Sequence, residues 1–251
     1  MKRVFDEKHP EQMDVPQPVS LELERDLENL VSLNRNFGSH RLITTFLNSW
    51  FGRSGSYRVL DLATGAGDIP RLIADWCARR EISVEVDAVD ANQATLEIAG
   101  KRNSECKNIK WIRGNALTFD PGHTYDLVCC SLALHHFSED DAIRLLRHCQ
   151  DLSHRFVLVA DLERSRPTSL SVWLVTALLY RDAMTKHDGR LSAQRAFSWK
   201  EMHAMAVAAG WETFGHARFL FCRQAIWLCK QDLSGTPAIA LGVGDAMPCP
   251  G

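Results

Sequence analysis

Between residues 57 and 161, short apolar runs alternate with stretches in which apolar side chains recur every three or four positions. The runs YRVLDLA, VEVDAVD, IKWIRG, YDLVCCSLAL and RFVLVAD have strand length and read as buried strands. IPRLIADWCARR, QATLEIAGKR and EDDAIRLLRHC carry the helical period. Strand then helix, repeated, predicts a parallel sheet covered by helices. Ser138 with Asp141 and Ser198 with Glu201 stand at capping-box spacing, which sets helix starts near Glu139 and Trp199. Ligands of such sheets collect at the carboxyl ends of the strands, where the strand order reverses.

The flanks follow other patterns. In LELERDLENLVSLNRNFGSHRLITTFLNSW, Leu23, Leu27, Leu30, Leu33 and Phe37 recur at helical spacing, predicting one or two amphipathic helices as a cap over residues 21–56. Residues 1–20 are polar with three prolines, and residues 231–251 are rich in Gly, Pro and Ala, so both ends are expected to be loose. WKEMHAMAVAAG, WETFGHARF and LFCRQAIWLCK read as a helix and two strands with a tight connection, closing a main domain at 57–230. Residues 162–197 break the strand-helix rhythm. Their apolar run LSVWLVTALLY is shorter than the about 20 residues a bilayer needs, leaving a core helix, a one-sided membrane contact or a wall of an apolar pocket.

Composition narrows the classes of function. A chain of 251 residues suits one sizeable core with attachments. With 29 basic and 31 acidic residues and no basic block, nucleic acid is disfavoured as a partner. The eight cysteines include no C-x-x-C pair, so they read as reduced thiols and not as a zinc site or disulfide framework. The amino terminus lacks the apolar core of a signal peptide, so a cytoplasmic protein without stable membrane insertion, monomer or homodimer, is expected.

The stretch VLDLATGAGDIP carries the chemistry. Gly65 and Gly67 follow the first strand as in a nucleotide loop, but Pro70 stands where a dinucleotide fingerprint has its third glycine. Asp61 at the strand end would repel a diphosphate, whereas it suits the ammonium of an amino-acid moiety. The pattern D-L-A-T-G-A-G resembles motif I of the class I S-adenosylmethionine-dependent methyltransferases, and the chain looks most like their small-molecule members of the ubiquinone and menaquinone type. The resemblance implies a Rossmann-like α/β fold, a seven-stranded mostly parallel sheet of order 3-2-1-4-5-7-6. It also implies S-adenosylmethionine as cofactor and S-adenosylhomocysteine as product. Asp61, Ala63, Gly65 and Gly67 would hold the methionine end, and Asp90 with Ala91, after the second strand, the ribose. Asn115 with Ala116 would contact adenine, although the family has an acidic residue where Asn115 stands. Ser131 and Leu132 would flank the methionine moiety.

Methyl transfer from a sulfonium needs alignment, exclusion of water and, for a hydroxyl acceptor, removal of a proton. His135 and His136, just past the fourth strand, are candidate bases. In extended backbone only one of the two would face the pocket, with a slight preference for His136. His187, on an expected loop, is a further candidate. Trp173, Tyr180 and Arg181 in the 162–197 insertion are candidate acceptor contacts. The function expected is methylation of a small aromatic or polyketide-like acceptor, on oxygen ahead of carbon, in secondary metabolism. No metal is assigned, because a metal-dependent phenol methyltransferase would need carboxylates around Asp161 that the sequence does not assemble. A nicotinamide oxidoreductase and a noncatalytic cofactor-binding partner are the alternatives.

Overall fold

A computed structural model describes residues 1–230; the expectation for residues 231–251 lies outside them. The strands are β1 (Ser56–Leu62), β2 (Ser83–Asp90), β3 (Ile109–Arg113), β4 (Tyr125–Ser131), β5 (Ser153–Leu162), β6 (Gly215–Phe219) and β7 (Arg223–Cys229). The helices are α1 (Leu21–Asn36), α2 (Ser39–Trp50), α3 (Asp68–Ala78), α4 (Gln93–Arg102), α5 (Glu139–Leu152), α6 (Arg166–Leu179), α7 (Ala183–Arg195) and α8 (Trp199–Ala208).

The strands form one sheet in the order β3-β2-β1-β4-β5-β7-β6, as the resemblance implies. β1 through β5 run parallel, and β7 is inserted antiparallel between β5 and β6. Because helices cover both faces, the central strands are apolar on both sides. Val59, Val86, Cys129 and Leu158 pack with Phe46 and Ile73 on one face, while Leu60, Val128, Cys130 and Val159 pack with Leu145 and Met205 on the other. The adjacent Cys129 and Cys130 thus serve opposite cores, and burial raises both thiols well above their usual range. At β6, a Cβ on Gly215 would stand 1.9 Å from the indole of Trp227, so only a glycine lets the hairpin close over that ring.

α5 and α8 begin where the capping spacings place them. The Ser138 hydroxyl accepts the Asp141 N–H, and Ser198 and Glu201 make the full reciprocal box. Residues 162–197 fold into the α6–α7 helix pair. α6 turns Val172, Val175 and Thr176 toward the carboxyl end of the sheet and leaves Leu170, Trp173, Leu178 and Leu179 exposed. Among the described residues, no helix is long and apolar enough to cross a membrane.

The polar leader, expected to be loose, is laid across the carboxyl end of the sheet and held there by α7. The Asp188 carboxylate accepts the backbone N–H groups of Gln12 and Met13 at 2.9 and 3.0 Å. The buried Arg195 guanidinium donates to the Asp6 and His9 carbonyls. Arg3 in turn donates to the His135 and Phe137 carbonyls at 3.0 and 2.7 Å. The leader therefore needs no apolar core of its own: its backbone groups are satisfied by charged side chains of the insertion.

Candidate active site

β1 neighbours both β2 and β4, so the connections leave it in opposite directions and a crevice opens beyond its carboxyl end. There the chain turns sharply through Ala63, Gly65 and Gly67, with φ of 56°, 53° and 73°. A Cβ on Gly67 would fall 2.5 Å from the Trp111 ring, whereas one on Gly65 would meet only open space. Gly67 is thus required by packing and backbone, Gly65 by backbone alone. The Asp90 carboxylate, at the end of β2, accepts the Gly65 N–H at 2.8 Å and the Asn92 N–H at 2.9 Å, tying the two loops together. Burial raises its pKa, only partly offset by those two bonds.

Asp61 is 2 % exposed. Burial pushes its carboxyl up to about 7; the Thr64 hydroxyl, 2.6 Å away, opposes the rise, and the charges of Asp68 and Asp90 add to it. Asp68, also buried, is held by His40 Nε2 at 2.8 Å and by the Asn34 amide at 3.1 Å, joining the cap helices α1 and α2 to the loop. The crevice therefore presents three carboxylates close together, an arrangement that favours a cation over an anion.

β4 ends in a second sharp turn. Leu132 takes φ of 55°, unusual for a side chain branched at Cγ, and its N–H reaches the Ala160 carbonyl of β5 at 2.8 Å. The chain then enters a 3₁₀ turn over Leu134–His136. Adjacent side chains of that turn do not point oppositely as in a strand, and both imidazoles face the same space with ring centres 4.3 Å apart. His135 Nδ1 lies 2.7 Å from Asp161 Oδ1, and His136 Nδ1 lies 2.6 Å from Asp14 Oδ2. Their Nε2 atoms both point to Glu11, at 3.5 Å from Oε1 and 3.9 Å from Oε2. Burial opposes charge on His135, but Asp161 and Glu11 outweigh it and lift its pKa to about 10. Burial would raise Glu11, but the two imidazoles and the Ser192 hydroxyl hold it at about 2.

These groups line one cavity of about 990 Å³, bounded by the strand-end loops, the leader, α1, α6 and α7. Residues 59–154, which contain most of the strand-end loops, match a family described as a methyltransferase domain. A 2-phytyl-1,4-naphtoquinone methyltransferase of Synechococcus elongatus is 28% identical over 196 residues, covering 72% of this chain and 82% of that protein. A demethylmenaquinone methyltransferase of Thermotoga maritima is 31% identical over 112 residues, 45% of each chain. These matches support a methyltransferase of the class I S-adenosylmethionine-dependent kind, similar to enzymes of quinone biosynthesis. Solved structures share the fold of this methyltransferase at low identity. A SAM-dependent methyltransferase from Aquifex aeolicus superposes with a TM-score of 0.56 at 14% identity, over 81% of this chain and 96% of that one. A plantazolicin methyltransferase, in complex with a triazolic analogue and SAH, gives 0.62 at 13% identity, over 83% and 91%.

In this methyltransferase the cavity gathers Asp61, Ala63, Gly65, Asp90, Ala91, Asn115, Ala116, Ser131 and Leu132, while Gly67 stands behind them against Trp111. Asn115 is engaged locally, its Oδ1 accepting the Leu117 N–H at 2.9 Å. The candidates from the insertion fall elsewhere. Trp173 faces outward beneath the Arg190 guanidinium, 5.6 Å from the ring centre, because the inner face of α6 belongs to Val172 and Val175. The Tyr180 hydroxyl is taken by Ser32, and Arg181 is exposed. His187 lies inside α7 and not on a loop; its half-exposed ring pairs with its neighbour Asp188, and it does not line the cavity. Helical geometry explains the displacement: Asp188, Ser192 and Arg195 take the inward positions of α7, leaving His187 on the outer side. Sequence reasoning missed Glu11, Asp14, His40 and Asp68 as members of the site. Glu11, Asp14 and His40 come from the leader and the cap, with no motif spacing to mark them, whereas Asp68 directly follows Gly67 in the glycine loop and could have been found there.

Proposed function

We propose that this methyltransferase moves the methyl group of S-adenosylmethionine onto a small, aromatic or polyketide-like acceptor, with transfer to oxygen favoured over transfer to carbon. The observation that carries the proposal is one cavity with two chemically different kinds of lining. The carboxylates and open backbone of the β1 and β2 loops line it. Apolar side chains of the leader, α1 and α6 line it as well, together with the His135–His136–Glu11 cluster. The named quinone substrates of the curated relatives fit that apolar lining in kind.

The residues present fit the cofactor. Asp61 is a buried carboxylate whose charged neighbours, Asp68 and Asp90, are also acidic, so an ammonium placed there removes a standing repulsion. The space in front of Gly65 admits a ligand against bare backbone. Asp90 keeps lone pairs beyond the two it gives to backbone N–H groups, enough to accept from ribose hydroxyls. Ala91, Asn115, Ala116, Ser131 and Leu132 line the same cavity, where Asn115 and Ala116 would face adenine and Ser131 and Leu132 the methionine moiety. S-adenosylmethionine supplies a methyl already activated on a sulfonium, so the chain's task is to align and dry the reacting pair. Ala63 and Leu132, both at positive φ, form the two strand-end turns beside the crevice. The leader and α6 exclude water from above, and the His135–His136–Glu11 cluster forms the polar place for an acceptor oxygen.

Calorimetry with S-adenosylhomocysteine and with NAD tests the cofactor, and mass spectrometry of a panel of phenols and hydroxylated naphthoquinones incubated with S-adenosylmethionine tests the acceptor. Binding of S-adenosylhomocysteine alone and a singly methylated product are expected. Binding of NAD in preference would overturn the reading.

A further inference from the structure

We infer that Glu11, His135 and His136 form a binding site for one divalent transition-metal ion of the zinc type, set at the acceptor end of the cavity. The three side chains come from two places far apart in sequence, yet one ligand atom from each lies within 4.8 Å of the other two. Asp161 orients the His135 ring from behind through a 2.7 Å hydrogen bond with Nδ1, while Asp14 stands 2.6 Å from His136 Nδ1 as an ion-pair neighbour outside hydrogen-bond geometry. At His135 this is the outer-shell arrangement that orients metal-ligating histidines, and an ion bound in front would take the Nε2 lone pair in place of the proton directed at Glu11. Glu11 is fixed in the same way, its Oε1 accepting from the Ser192 hydroxyl at 2.8 Å.

The distances on the two sides of the rings differ in a telling way. Behind His135, nitrogen and oxygen are hydrogen-bonded, and behind His136 they are in close ion-pair contact. In front, Nε2 of His135 and of His136 stand 3.5 and 3.9 Å from the Glu11 oxygens, beyond the about 2.7–3.2 Å of a hydrogen bond. Two ligands each about 2.0–2.1 Å from a tetrahedral ion stand roughly 3.3 Å apart, so the gap has the scale of a shared cation. Two imidazoles and one carboxylate form a donor set that zinc takes in catalytic sites, where three protein ligands leave a further position for water or substrate. The open position here is toward the cavity, since all three residues line it.

The inference rests on the methyl-transfer reading for its chemical use. An acceptor hydroxyl bound at the open position loses its proton to solvent at lower pH than a free phenol does. The oxygen lone pair then forms the new O–C bond as the S–C bond breaks, its electron pair staying on sulfur. The ion changes neither oxidation state nor number.

The test uses the full chain, stripped of metal with a chelator and titrated with Zn²⁺ by calorimetry and with Co²⁺ by visible absorption. One ion per chain is expected, with a nitrogen- and oxygen-ligated Co²⁺ spectrum distinct from that of the aqueous ion. Glu11→Gln and His136→Ala should each weaken binding by at least about tenfold, and Asp161→Asn by about 10- to 100-fold. S-adenosylhomocysteine affinity, measured on the same samples, reports both folding and the cofactor reading. If it is intact while Co²⁺ keeps its aqueous spectrum, the metal site is refuted and the methyltransferase reading stands. A thiolate charge-transfer band that is unaffected by Glu11→Gln would place the ion on cysteine and refute it equally. Metal binding without S-adenosylhomocysteine binding would instead count against the cofactor reading alone.

Discussion

At Asp61 the decisive quantity is a solvation energy. Its carboxyl is buried beside two others and is pushed up to about 7, so near neutral pH it exists in both protonation states. An ammonium pairs with the ionised state only. Affinity for S-adenosylhomocysteine should therefore rise as pH increases from 6 to 8, and Asp61→Asn should bind weakly with that slope abolished; calorimetry at several pH values reads both. The stability of the ligand-free chain should move the other way. A carboxyl whose folded pKa lies above its unfolded value favours folding fully below the unfolded value, and that contribution is lost as pH rises through the folded one. Between pH 4 and 7 the wild type should thus lose stability relative to Asp61→Asn, as followed by urea midpoints. Asp90→Ala removes a charged acceptor and the clasp between two loops, and should weaken S-adenosylhomocysteine by about 1–3 kcal/mol. Asp61, Gly65 and Asp90 were legible in the sequence because short-range spacing from a strand end fixes where they lie. Asn115 was legible only as a position, since the use of its oxygen by Leu117 is a property of the local turn.

At the scale of elements, periodicity and caps located every strand from β1 to β7, and α5 and α8 began at their capping serines. The errors lie where a short segment changes conformation. YDLVCCSLAL read as one strand, but β4 stops at Ser131 and a positive φ at Leu132 starts the turn that sets both histidines toward the cavity. In the insertion, composition marked the apolar run but left three readings open for it. The α6–α7 pair is decided by which faces meet. The terminal hairpin offers a clean test of close packing: Gly215→Ala places a methyl inside the Trp227 ring and should cost about 1–3 kcal/mol. A lower urea midpoint with an unchanged slope would identify the loss as one of native-state packing.

For the whole molecule, the leader matters most. Its sequence resembles a solvated tail, yet Asp188 and Arg195 bind its backbone over the cavity, its own Arg3 donates to the His135 and Phe137 carbonyls, and Glu11 and Asp14 are brought to the histidines. Asp188→Ala removes the acceptor of the Gln12 and Met13 N–H groups. Those two amides should exchange with deuterium much faster in that variant, while amides of β4 and β5 keep their protection, because the leader pairs with no strand of the sheet. Equal protection of the leader in both proteins would show that other contacts hold it. Acceptor KM should rise with leader opening, and S-adenosylhomocysteine affinity should change less, since Asp90 ties the β1 and β2 loops to one another and the leader adds the bond of the Asn92 amide to the Met13 carbonyl.

The sequence by itself determined the alternating architecture, the helix starts and the cofactor-facing loop, because each depends on residues within a few positions of one another. Only the tertiary structure decided which side chains share the acceptor end. Glu11 meets His135 across more than a hundred residues, and the contact exists because α7 satisfies the leader's polar backbone at that place. Hydrophobic period says which face of an element is buried; it carries no information about which distant polar segment a folded surface will hold.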